Sequence, residues 1–252
     1  MDYTDDQIDN LMKGIYHGEI SVENLPEDLY LAIADRLEKA VYEGFGGSAA
    51  SFTFGGPDFK MVEALRENVY MFSGAKTFQQ CKEMQELIIS TDSFKEFKEE
   101  AMKVYNRYNV DWLEAEYNTA IGQSQSARDW SDIQEKKDLL PILRYSAVVD
   151  ENTSEICQGM DGVTKPVDDP IWDVYSPLNH YNCRCLLEQL DEDNEEVDVP
   201  VGLEKPDPVF AKNPGKTGEV FNEDHPYFDV EKPYKELARE NFGLPIPEYD
   251  DN

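Results

Sequence analysis

The sequence predicts an α+β protein: a helical N-terminal region, a small strand-bearing unit with a Cys/His knuckle, and an extended acidic tail. Three observations predict it. Apolar residues recur at helical spacing between capping signals over about the first 140 residues. β-prone alternation sets in after Pro141, and three of the four cysteines then gather with one histidine between Cys157 and Cys185. From Asp191 onward the chain is acidic and proline-bearing, as extended linkers are. The boundaries fall at residues 1–140, 141–190 and 191–252.

Thr4 and Gln7 form a capping box, and Ile8, Leu11, Met12, Ile15 and Tyr16 then repeat at helical spacing until Gly18. Pro26 suits the first turn of a second helix, with Leu29, Ile33, Leu37 and Val41 on one face, which Gly44, Gly46 and Gly47 stop. A glycine-rich loop follows to Gly56, interleaved with Phe45, Phe52 and Phe54. Further helices are expected from Asp58 to Phe72, from Thr77 (boxed with Gln80) to Ile89, and from Ser93 (boxed with Glu96) to Tyr108. Asp111 then caps a helix of ~25 residues, roughly 37 Å long at 1.5 Å per residue, a candidate spine.

After Pro141, Leu143, Tyr145 and Ala147 share one face of a strand and Arg144, Ser146 and Val148 the other. Asp150, Glu151 and Asn152 make a turn, Asp161-Gly162 is a hairpin-type dipeptide, and CRCLLEQL from Cys183 returns as a strand. In the tail, KTGEVF reads as a short strand, KPYKELAREN as a short helix, and PIPEYDDN as loose.

The chain's 53 Asp and Glu against 23 Lys and Arg give a net charge of −30. Nucleic-acid affinity comes from cations that displace counterions, so sequence-independent DNA binding is not expected. Arg128, Lys136 and Lys137 are too sparse to reverse that field. Such a field favours solubility and association with basic surfaces. The opening MDYTDDQIDN has neither a basic nor an apolar signal region, and no apolar run nears the ~20 residues that span a bilayer. A soluble protein made in a cytoplasm, with thiols rather than disulfides, is therefore expected. Cys81, alone in a helical pattern, reads as buried.

Cys157, His180, Cys183 and Cys185 are the right donor types for a structural zinc ion, because thiolates and an imidazole together close a tetrahedral sphere. The C-x-C spacing is tighter than usual and Cys157 stands alone on its limb, so packed thiols with a hydrogen-bonded histidine are the plainer alternative. If Cys183 and Cys185 face one way on a strand, Arg184 faces the other and can bind a buried carboxylate such as Asp150 or Asp161. A Cys-His nucleophile is a third reading, but no orienting residue or oxyanion loop accompanies it. Gly215-Lys216-Thr217 imitates the end of a phosphate loop, yet the first glycine of that motif would fall on Phe210, so Asn213-Pro214-Gly215 reads as a turn. No pair of carboxylates earns nomination as acid and base without geometry.

The runs WLEAEYNTAIGQSQSARDW, LRYSAVVDENT, MDGVTKPVDDPIWDVYSPLNHYNCRC and NPGKTGEVFNEDHPYF resemble the Mu F-like, SPP1 gp7-like family of phage head morphogenesis or minor head proteins. They run roughly from Trp112 to Phe228 in the family's order. Members often carry D-E-x-T-C-x-x-C where this chain has Asp150 to Cys157, so Ser154 replaces the first cysteine. The resemblance implies a non-enzymatic, low-copy protein at the portal vertex, found in the procapsid and in the virion if retained, and made in a bacterial host. Its implied partners are the portal protein and the major capsid or scaffold protein, with no membrane. Some relatives carry a toxin or nuclease domain after the shared unit, but the ~60 residues after Leu190 are short for one. The rival reading is a cysteine/histidine-dependent enzyme or toxin-like effector sited in the same unit.

Overall fold

Thr4 opens the first helix, α1 (Asp5–His17), as its capping box requires: the Gln7 amide donates to Thr4 Oγ1 at 3.3 Å and the Thr4 amide to Gln7 Oε1 at 3.0 Å. The computed structural model in which this is seen describes residues 3–47 and 57–248. Gly18 closes α1 at φ +75°, the left-handed conformation that glycine adopts without strain.

Helix α2 (Glu27–Phe45) begins one position later than expected, with Pro26 at the N-cap, and Gly46 ends it. Gly44 is not a stop. It lies inside the last turn, where a β-carbon would overlap the Ile121 carbonyl, so it lets two helices cross closely. The rest of the predicted glycine loop, with Phe52 and Phe54, lies outside the described residues.

Two predicted helices merge into one, α3 (Pro57–Ser90), 34 residues long. The expected box at Thr77 does not form, because Thr77 Oγ1 donates back to the Ser73 carbonyl at 2.8 Å and Ser73 Oγ to that of Val69 at 2.7 Å. Phe72, Ala75, Phe78 and Cys81 are buried on both sides of the predicted break, and that packing outweighs the local capping preference.

Ser93 caps α4 (Phe94–Asn106) through the Glu96 amide, while Glu96 reaches back to the amide of Asp92. The chain then does not break. A π-helical turn, Arg107–Trp112, carries it into α5 (Leu113–Lys136), 24 residues long, and Asp111 sits within that turn instead of capping. Asn109 ties the widened turn down, donating to Gln80 Oε1 at 2.8 Å and to the Tyr105 carbonyl at 3.1 Å.

Helices α2, α3 and α5 pack together, with α1 laid against α3 and α4. Helix α5 is the spine. Its Ala120 and Ala127 belong to the helical core, and its Trp130 and Ile133 to a second core beneath a three-stranded antiparallel sheet. That sheet has the order β2-β1-β3, from β1 (Ile142–Ser146), β2 (Thr164–Pro166) and β3 (Leu186–Leu190). Leu143 and Tyr145 are fully buried, as the alternation predicts, and Tyr145 lies opposite Leu187. Asp161-Gly162 does not join two strands as a hairpin: the short helix α6 (Glu155–Met160) precedes it, and Gly162, at φ +81°, leads into β2.

The C-terminal segment returns along the helices. KTGEVF is not a strand: α7 (Pro214–Thr217) takes its first residues, and a single side chain serves the backbone of the next two. Asn68 Oδ1 accepts the amides of Val220 and Phe221, each at 2.9 Å, and Asn68 Nδ2 donates to the Phe221 carbonyl at 2.9 Å. Phe221 stacks on Phe72 with centroids 3.8 Å apart. The predicted short helix forms as α8 (Lys235–Arg239) after a 3-10 turn. Of the stretch expected loose, Pro245 is pinned, since the Tyr30 hydroxyl donates to its carbonyl at 2.8 Å, and residues 249–252 lie outside the described residues.

Candidate functional site

The Cys/His knuckle is built by the turns between β1 and β3. Ser154 caps α6 through the Cys157 amide, which fixes Cys157 at the sheet's underside, fully buried. Its sulfur lies 3.7 Å from Cys183 Sγ and 3.3 Å from the Tyr145 hydroxyl. Ligand atoms of Cys157, His180 and Cys183 fall within 4.8 Å of one another. Cys185 adjoins both other sulfurs but stands outside that set of three. Cys183 and Cys185 precede the strand, since β3 starts only at Leu186.

Hydrogen-bond directions prepare the donors for a cation. Asn179 Nδ2 donates to the Tyr145 oxygen at 2.8 Å, so the Tyr145 proton is free to point at Cys157. Hydrogen bonds from Cys183, then Cys185, Ser154 and Tyr145, hold the Cys157 thiol well below its ordinary pKa. Cys183 is pushed up, chiefly because it supplies the proton that Cys157 accepts. His180 Nδ1 lies 2.8 Å from the Tyr181 carbonyl, which only accepts, so Nδ1 carries the proton and Nε2 keeps the lone pair. Two thiols, a third beside them and an imidazole nitrogen fit a structural zinc ion by donor chemistry. Such an ion would hold the turns together, and four protein ligands would leave it no open position for a substrate.

Nucleophilic chemistry is poorly served at the same place. Cys157 is fully buried, and no carboxylate lies in hydrogen-bond reach of His180 among the described residues. Arg184 donates from Nη2 to both carboxylate oxygens of Asp150, at 2.8 and 2.7 Å, at the surface rather than in the interior. Asp161 instead accepts the Ala147 amide at 2.9 Å. The knuckle is thus a braced set of turns.

The other nominated features have structural partners. Lys216 pairs with Asp173 and lies over Trp130, and a β-carbon on Gly215 would collide with that indole, so this glycine-lysine pair packs against α5. Arg128 pairs with Asp129 and Lys137 with Asp168. Burial pushes the Cys81 thiol up to about 12, which keeps it inert.

Sequence reading missed a second polar cluster, inside the helical core. Lys76 of α3, fully buried, is ion-paired with Glu116 of α5, and the Tyr227 hydroxyl donates to the other carboxylate oxygen at 2.9 Å. His225 packs edge-on to Tyr227 at 4.6 Å between centroids; burial, then the charges of Lys76 and Lys212, lower its pKa to about 4. The one available signal was Lys76 and Glu116 each falling on the apolar stripe of its helix.

Comparison with known proteins bears on the stretch that joins these features. Residues 71–188 match the family model described as phage Mu protein F like protein, which upholds the resemblance over that stretch. The Mu-like prophage FluMu F protein of Haemophilus influenzae is 36% identical over 74 residues, which make up 29% of this chain and 17% of that relative. The match therefore spans about a sixth of that relative's length. No solved structure matches the chain.

Proposed function

We propose that this protein is a structural component of phage head morphogenesis, a low-copy minor head protein that works at the portal vertex through protein contacts. The observation that carries the reading is the Mu F-like match over residues 71–188. The matched stretch begins within α3 and ends within β3, so it takes in the π turn, the whole spine α5 and the knuckle. It contains the parts that join the two cores. No helix among the described residues is long and apolar enough to cross a membrane, and the net charge of −30 disfavours a direct grip on DNA.

In this reading the protein is not an enzyme. The knuckle is a rigid brace, holding zinc on Cys157, His180, Cys183 and Cys185, while the helices and the C-terminal segment present the contacting surfaces. Its partners are the portal protein and the major capsid or scaffold protein, and it resides in the procapsid.

Quantitative mass spectrometry of purified procapsids and mature particles tests this, with the portal as internal standard. Copies comparable to the portal's in procapsids support the role, and loss from mature heads makes the protein a transient assembly factor. Absence from both kinds of particle overturns it.

A further inference from the structure

Beside the buried Lys76–Glu116 pair lies a cleft of about 330 Å³, whose lining includes Trp112, Glu116, Tyr181, His225 and Tyr227. It opens next to the π-helical turn, a distortion that recurs at functional sites. Trp112 and Tyr181 form its lips, 41% and 45% exposed, while Glu116 lies at its base, 4% exposed. Large aromatic side chains held half in water at the mouth of a cleft are the residues that dominate binding energy at protein interfaces.

Around the cleft, the exposed charges without an ion pair among the described residues are acidic. Asp111 and Glu114 flank Trp112 in the chain and are exposed, and Asp207 acts on Tyr181 together with Glu116. No ion pair engages Asp111, Glu114 or Asp207 among the described residues. The nearby cations are spent. Lys76 is closed in behind Glu116, Arg107 is paired with Glu83, and buried Lys212 donates to the Val209 carbonyl at 2.8 Å. Arg107 also shows what these rings accept: its guanidinium lies 5.2 Å from the Trp112 centroid and 5.6 Å from that of Tyr108.

We propose that this cleft is a docking site for a basic side chain, arginine foremost, presented by a partner protein. A guanidinium entering the cleft meets the Trp112 and Tyr181 rings at its rim and the unpaired carboxylates of Asp111, Glu114 and Asp207 nearby, and stacking plus charge favours it over a neutral side chain of equal size. The inference stands apart from the head-assembly reading, because it names the partner by its chemistry and not by its place in a particle.

The test uses the full chain and blocked glycine-serine peptides bearing a single arginine, citrulline or leucine, followed by the Trp112 indole N–H signal in NMR. Trp130 and Trp172, both buried, report on the fold in the same spectra. The expected result is a saturable shift of the Trp112 signal by the arginine peptide that weakens with added salt, with citrulline about tenfold weaker. Tyr181→Ala, a change at an exposed position, should weaken the arginine peptide while leaving the Trp130 and Trp172 signals in place. A Trp112 signal unmoved by millimolar arginine peptide overturns the proposal. So does a leucine peptide that binds as well, which would make the cleft a seat for an apolar anchor.

Discussion

Tyr227, from the C-terminal segment, donates its hydroxyl to the same Glu116 carboxylate that pairs with fully buried Lys76. One carboxylate thus couples α3, α5 and the returning chain. A buried pair adds little net stability over a hydrophobic pair of the same volume, but removing one partner strands a charge.

Glu116→Gln is therefore expected to cost about 3 kcal/mol or more, because Lys76 keeps its burial and loses its counter-charge. Lys76→Met combined with Glu116→Leu should cost less than the single change. Urea unfolding of the three proteins checks this, and a double variant less stable than Glu116→Gln would contradict the account.

His225 sets a pH dependence. Its folded pKa is lowered to about 4 from an ordinary value of 6.5, first by burial and then by Lys76 and Lys212. Between those values the unfolded chain binds the proton and the folded chain does not, so stability is full above about pH 6.5 and falls as pH drops toward 4. The depression corresponds to about 3 kcal/mol. His225→Gln should flatten the stability curve in that window, as read from urea midpoints; an unchanged acid limb would place the dependence on other groups.

Asn68 does the work of a neighbouring strand for Val220 and Phe221. Asn68→Ala leaves two amides and a carbonyl without that partner, with an expected cost of about 2 kcal/mol. Hydrogen exchange at the Val220 and Phe221 amides should speed up selectively. Protection equal to that of the unaltered protein would show that water replaces the side chain without loss.

For the knuckle, one zinc per chain is expected by elemental analysis of protein purified without chelator. Cobalt substitution should give thiolate charge-transfer absorption that Cys183→Ser weakens, and chelation should lower the melting temperature. Metal-free protein with an unaltered melting temperature would leave the sulfurs as packed thiols.

Much of this architecture was legible residue by residue. Thr4, Gln7, Gly18, Ser93 and Glu96 act locally, and each caps or closes a helix where its type indicates. The face assignment of β1 held as far as Ser146, since alternation at Leu143 and Tyr145 reflects burial directly, but the strand ends before Ala147 and Val148. Reading failed where distant contacts outvoted local preference. Thr77 and Gln80 look like a helix start, but Phe72 and Phe78 on either side are both buried in one core, which keeps α3 unbroken. Val220 and Phe221 look like a strand, but their partner is a side chain 152 and 153 residues away. The knuckle's residue types were visible, whereas the roles of Tyr145 and Asn179 depend on a hydrogen-bond direction that no spacing encodes.

The Tyr30 to Pro245 hydrogen bond spans 215 residues, and Val220, Phe221, Tyr227, Phe242 and Leu244 complete the core that α1 to α5 begin. A ribosome making this chain must therefore pass residue 245 before the last part of the helical core is covered. Until then the nascent protein shows greasy surface to chaperones and proteases, and a prematurely released product stays in that state.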